Sequence, residues 1–206
     1  MNHPARIAHQ VLSLVILCIG FAACSQYTPV PKPRGYPRII FPERGQWQQF
    51  DEAYCSFTFE YPAYAQVIQD TDFFDQKPVH PCWFDLYFPH FDARIHCSYV
   101  PIDAQNSLNK LRRDAFKMTD WHNKRATYIE ERPFHNTWGT KGMIFEVEGP
   151  AASPFQFFLT DSLQAKHFLR GALYFHAEAR PDSLKPAYEF LKEDITHMLA
   201  TFRWTD

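Results

Sequence analysis

The stretch "QFFLTDSLQAKHFLRGALYF", residues 156–175, decides the fold. Two apolar, aromatic-rich runs flank a polar turn, which is the pattern of a β-hairpin. In the second run His167, Leu169, Gly171, Leu173 and Phe175 point one way, and Phe168, Arg170, Ala172 and Tyr174 the other. Both faces are largely apolar, so this strand is expected in the middle of a sheet and covered on both sides. Arg170 conflicts with that setting, because an unpaired buried charge costs several kcal/mol. A carboxylate partner is therefore expected. Asp85, midway along another strand with two apolar faces, is the natural candidate, and Asp161 is nearer in sequence. The alternative is that Arg170 lies at a cleft and receives an anion or a partner protein. Gly171 beside it would allow close backbone approach in either case.

Working outward, Cys55, Phe57, Phe59 and Tyr61 alternate with Ser56, Thr58 and Glu60, which predicts a half-buried strand ended by Pro62. Residues 63–80 read as a polar loop or irregular segment. Residues 82–88 and 93–100 read as a hairpin joined by the turn "PHFD". The period then changes. Leu108, Leu111, Ala115 and Met118 fall at helical spacing behind Asp103, a fair N-cap. Strands follow at "ATYIEERPF", ended by Pro133, and at "GMIFEVEG", bounded by Gly142 and Gly149. After the opening hairpin, Leu184, Tyr188, Leu191, Ile195, Met198 and Phe202 step by four and three through 182–204. That is an amphipathic helix able to lie across a sheet, capped by Asp182 or Ser183, with Pro186 in its first turn. The order predicts an α+β domain: a mostly antiparallel sheet of about six or seven strands with helices packed on its faces. The element order is similar to the Mog1/PsbP-like layered fold.

The N-terminus has a different character. "VLSLVILCIGFAA" is a continuous apolar run, long enough for a signal-peptide core and short for a membrane span. It ends in Phe21-Ala22-Ala23-Cys24, which resembles a bacterial lipobox, with Phe21 departing from the usual Leu. Residues 1–23 are then expected to be a lipoprotein signal peptide with Cys24 as the acylated mature N-terminus, the alternative being an ordinary signal peptide with an incidental cysteine. Residues 24–37 carry four prolines between Pro29 and Pro37 and read as an extended tether. Residues 38–206 form the single globular domain. No acidic run follows Cys24, which argues against display on the cell surface. The remaining cysteines, Cys55, Cys82 and Cys97, permit one bridge in an oxidising compartment, with three pairings open. The net charge of −2 gives no basic field for nucleic acid.

These blocks carry a resemblance. "KPRGYPRIIFPE" (32–43), "CSFTFEYP" (55–62), "CWFDLYFPHFDARIHCSY" (82–99), "SPFQFFLTDSLQAKHFLRGALYF" (153–175) and "DSLKPAYEFLKEDITHMLATFRW" (182–204) resemble the GldD gliding-motility lipoproteins of Bacteroidetes. The match spans essentially the whole mature chain. It implies a cell-envelope lipoprotein required for gliding, a process coupled to type IX secretion. It carries no catalytic residues and no cofactor. The implied partners are the membrane, through the lipid anchor, and other gliding or secretion envelope proteins. The periplasmic leaflet of the outer membrane is favoured over the inner membrane. Cys55 and Cys82 open strands in blocks that match the family, so they are expected to form the bridge and leave Cys97 free.

Other chemistry finds little support in the residues. There is no GxSxG, HExxH or CxxC motif, and with seven glycines no phosphate cradle is expected. His80 with Cys82, and His96 with Cys97, could meet in a hairpin. Adjacent strand residues point to opposite faces, however, so His96 and Cys97 cannot share one metal. Ser153 or Ser162 with His167 and Asp161 would make a triad only on paper, since Asp and Ser in a turn bond the local backbone. The aromatic residues could stack a sugar or a nucleobase, but most are expected in the core. A non-enzymatic envelope protein is therefore expected, with a small-ligand or glycan-binding module as the alternative.

Overall fold

The computed structural model describes residues 39–71, 77–161 and 166–205. The signal peptide, Cys24, the tether and Ser162 lie outside them. In chain order the elements are β1 (Trp47–Phe50), β2 (Phe57–Pro62), β3 (Gln66–Gln69), β4 (Trp83–Phe88), β5 (Ala93–Pro101), α1 (Leu108–Asp120), β6 (Tyr128–His135), β7 (Thr140–Glu148), β8 (Phe155–Asp161), β9 (His167–Phe175), α2 (Pro181–Thr201) and β10 (Arg203–Trp204). The class is α+β. Seven strands form one antiparallel sheet in the order β3-β4-β5-β9-β8-β7-β6, and β1-β2-β10 form a second, smaller one.

Hydrophobic periodicity explains the layers. One face of the large sheet carries Phe84, Leu86, Ile95, Tyr99, Leu169, Leu173, Phe155, Phe157 and Leu159, and all are buried. Leu191, Ile195, Met198 and Leu199 of α2 pack on that face together with Phe50, Phe57 and Phe59 of the small sheet. Among the described residues, the opposite face is covered over β7, β8 and β9. There Phe145, Phe158 and Phe168 meet Ala115, Leu111 and Phe116 of α1. At Gly171 a methyl would sit 2.2 Å from the buried Phe157 ring, so β9 needs glycine at this point.

The structure departs from the sequence expectation in several places. Residues 47–50 and 66–69 are strands, β1 and β3, each too short to show a period. The final helix stops at Thr201. Phe202 turns extended (φ −63°, ψ 131°), and Arg203 and Trp204 pair with Thr58 and Phe57. The helix also starts earlier, at Pro181 behind Arg180, which puts Pro186 in its second turn. Ser107 caps α1 by accepting from the Lys110 N–H, while Asp103 accepts from the N–H groups of Gln105 and Asn106 in the preceding turn. Strand β6 runs through Pro133, which an edge strand tolerates. Cys55 is bonded to Cys82, with their Cα atoms 5.2 Å apart. Cys97 is a buried free thiol. Burial, seconded by Asp85, pushes its pKa far up, so it is inert as a nucleophile.

Candidate functional site

Strand register decides where Arg170, Asp85 and Asp161 go. Asp161 pairs with Thr140 at the end of β8, on the face opposite Arg170. Its Oδ1 accepts from the N–H groups of Lys166 and His167 across the hairpin, at 2.9 and 3.1 Å. Asp85 shares a face with Arg170 but stands two strands away. It is opposite His96, which is opposite Ala172. Its carboxylate is taken by β5: His96 Nδ1 lies 2.5 Å from Oδ1, and Arg94 Nη1 lies 3.3 Å from Oδ2. Neither carboxylate reaches Arg170. The expectation of an ion pair fails here because each candidate meets donors closer in the sheet.

Arg170 instead has neutral partners. Its Nη2 donates to Gln156 Oε1 at 2.6 Å, and the Tyr174 hydroxyl also accepts from it. Gln156 lies opposite Ala172, so the guanidinium runs along β9 over that buried alanine. Thr119 of α1 lies 3.3 Å from the same Oε1. Gln156 is 1% exposed, and its Nε2 has no hydrogen-bond partner among the described residues. Swapping the amide ends would set an N–H group against the Arg170 donor at 2.6 Å and lose that bond, so Oε1 is the end that faces the guanidinium and Nε2 is the orphan. Burial lowers the Arg170 pKa, and Tyr174 opposes that. Burial also lowers the pKa of His122, just beyond α1, with the Arg170 charge adding to it.

Beside Arg170 no described helix covers the sheet. Across β3, β4, β5, β9 and β8, Ile68, Asp85, His96, Ala172 and Gln156 form one continuous cross-strand row. Along that surface Arg94 lies over the Tyr87 ring at 4.8 Å, and the His96 and Tyr174 rings are 5.4 Å apart. The Arg94 and His96 side chains are 44% and 50% exposed, against 14% for Asp85. This part of the face therefore shows Arg94, His96 and aromatic rings to solvent and keeps Asp85 covered, while at its edge the half-exposed Asp92 accepts from the Tyr87 hydroxyl at 3.2 Å. The sequence marked Arg170 and Asp85 as anomalies within apolar strands. It held no signal for Gln156 or Arg94 and marked His96 only as a metal-ligand candidate; the meaning of all three comes from cross-strand neighbours.

A second concavity lies on the other face, where the first half of α2 leaves the sheet. It has a volume of about 530 Å³, with Glu146, Glu148, Lys185, Tyr188, Glu189 and Lys192 in its wall. Glu146 organises it. Its carboxylate accepts from Arg132 Nη2 (3.0 Å), the Tyr188 hydroxyl (3.2 Å) and Lys192 Nζ. Burial pushes the Glu146 carboxyl up, but these donors together outweigh it and hold the pKa below the ordinary range.

The remaining candidates do not assemble. Ser153 donates to the Phe155 carbonyl near the start of β8, remote in register from Asp161 and His167 at the β8–β9 turn. His167 Nδ1 meets the Tyr99 hydroxyl at 2.7 Å on the buried face. Cys82 is in the disulfide, and His96 and Cys97 are on opposite faces of β5. Among the described residues no group of three His, Cys, Asp or Glu could hold a metal ion.

Fold and site together define a layered α+β domain whose described residues include a sheet face partly uncovered by helices and a cleft beside α2. The chain belongs to the family described as gliding motility lipoprotein GldD, which matches residues 26–204. Among solved structures it is similar to cyanobacterial PsbP (CyanoP) from Synechocystis sp. PCC 6803. That likeness has a TM-score of 0.40 and 14% identity, and covers 85% of this chain and 99% of the other. No curated protein matches the sequence. No helix among the described residues is long and apolar enough to cross a membrane.

Proposed function

We propose that this protein is a non-enzymatic docking module of the gliding and type IX secretion machinery. It is held at the periplasmic side of the outer membrane by an acyl group on Cys24. The observation that carries the reading is the uncovered surface of β4, β5 and β9. A sheet face normally buries itself against another layer. Here α1 stops short, and the exposed part holds Arg94, His96 and aromatic rings, with Ile68 at its edge. Such a surface suits a polar partner that associates and separates.

The test is site-specific photo-crosslinking in gliding cells. A photoreactive residue at Tyr87 or His96 should capture envelope proteins of the gliding or secretion apparatus, and one at the exposed Lys117 of α1 should not. Equal capture from both positions would remove the open face from the proposal. A second reading, a small-ligand or glycan-binding module, is favoured by the α2 cleft, a partly open concavity into whose wall several polar groups converge. Soluble envelope glycans that protect the Tyr188 ring and raise the Tm would favour it. Tyr188→Ala cells that glide normally would count against it.

A further inference from the structure

We propose that Arg170 is the receptor for a carboxylate of an acidic protein segment docked across the open face of the sheet. The proposal rests on the docking reading and names the chemistry of the partner. Arg170 sits at the border between the part of the sheet that α1 covers and the part it leaves open. It is half-buried, and among the described residues only neutral oxygens, from Gln156 and Tyr174, accept from it. A guanidinium offers five N–H groups in a planar fork suited to a carboxylate. Two neutral acceptors leave most of that fork unused.

Beneath it lies a second sign of an incomplete site. Gln156 is almost fully buried, and its Nε2 donor has no partner. A protein that needed Arg170 only for its core would be expected to place glutamate here, since the two side chains are nearly the same shape. Glutamate would complete the ion pair and remove the orphan donor together. This protein has the neutral residue, which leaves the cation available.

The surroundings select the sign of the ligand. Asp85 is the acidic side chain in the cross-strand row, and it is already engaged by Arg94 and His96. At the Tyr87 end the exposed Asp92 accepts from the Tyr87 hydroxyl and pairs with His176, so the positive charge with no carboxylate partner among the described residues of this face is Arg170 itself, with His122 within its field. A partner with aspartate or glutamate beside aromatic or apolar residues fits a surface that offers the Arg170 fork beside the Tyr174 ring. Phospholipid headgroups share the anionic chemistry, so the test must separate the two sources.

The experiment uses the full chain in detergent micelles, with the Arg170 Nε–H resonance assigned from its loss in Arg170→Lys. It is titrated with a synthetic Glu-Tyr-Glu-Tyr-Glu peptide and, separately, with the chain in phosphatidylcholine vesicles that contain or lack phosphatidylglycerol. The expected result is a saturable shift with the peptide and none caused by phosphatidylglycerol. Gln156→Glu is the deciding variant. It should raise the Tm by closing the ion pair internally, and weaken peptide binding at least tenfold. A gain in stability together with a loss of binding cannot come from misfolding. Undiminished peptide binding in Gln156→Glu, a shift only with phosphatidylglycerol, or no saturable shift would each overturn the proposal. If those results came with intact photo-capture from His96, the docking reading would survive and the role of Arg170 would fall.

Discussion

Glu146 shows how a single carboxylate couples the sheet to α2. It lies opposite Glu130 across β6 and β7, an arrangement of like charges that is unfavourable by itself. Lys192, Arg132 and Tyr188 reverse the balance and hold its pKa below the ordinary value. Because the folded-state pKa is depressed, this stabilisation is complete above the unfolded value of about 4.3 and is lost as pH falls through the folded value. Asp194 has the opposite sign. Its raised pKa, caused first by burial, makes a contribution that fades as pH rises through that folded value. Glu146→Gln isolates the first term. At pH 7 the variant should be less stable by about 1–2 kcal/mol, or roughly 3–6 °C in Tm. The gap should close below about pH 4. Thermal melts of parent and variant from pH 3 to 8 check this, and a gap constant with pH would show that Glu146 acts by packing alone.

At the scale of elements, Asn136 joins two pieces far apart in sequence. It sits in the turn between β6 and β7. Its Oδ1 accepts from the N–H groups of Trp138 and Thr140, which closes that turn. Its Nδ2 donates to the carbonyls of Leu199 and Phe202, at 3.0 and 2.7 Å, where α2 ends. Helix C-termini leave carbonyls unpaired, and here a hairpin side chain satisfies two of them. Asn136→Ala should cost about 2–4 kcal/mol. Asn136→Asp should not recover it, because it keeps the acceptors, loses both donors and adds a negative charge at the negative end of the helix. Chemical denaturation measures both, and a cost below ~0.5 kcal/mol for the alanine variant would rule out the clasp. Nothing near Asn136 in the sequence indicates this role, since its partners lie 63 and 66 positions away.

At the scale of the molecule, the domain follows a proline-rich tether of about 14 residues that extended would reach ~40 Å. Cys24→Ser should abolish labelling by a lipid precursor and move the protein from the membrane to the soluble fraction. Gliding should fail at normal protein abundance. Membrane partitioning equal to that of the parent would exclude Cys24 as the anchor.

What the sequence determined by itself is what depends on near neighbours. Alternation at 55–61 and 167–175 marked strands, three–four spacing at 184–202 marked the long helix, and together they set the α+β class. These signals survive without tertiary information because backbone geometry imposes their periods. Tertiary structure decided which faces were covered and which charges met. Both faces of β9 read as apolar, yet α1 is too short to cover the β5 side. Arg170 therefore lies at a border, and Asp85 is consumed by Arg94 and His96 before Arg170 can reach it. Strands β1, β3 and β10, of two to four residues each, exist because a neighbour supplies their hydrogen bonds. Pairing energy between distant segments leaves no local period to read, and the open face arises from that pairing.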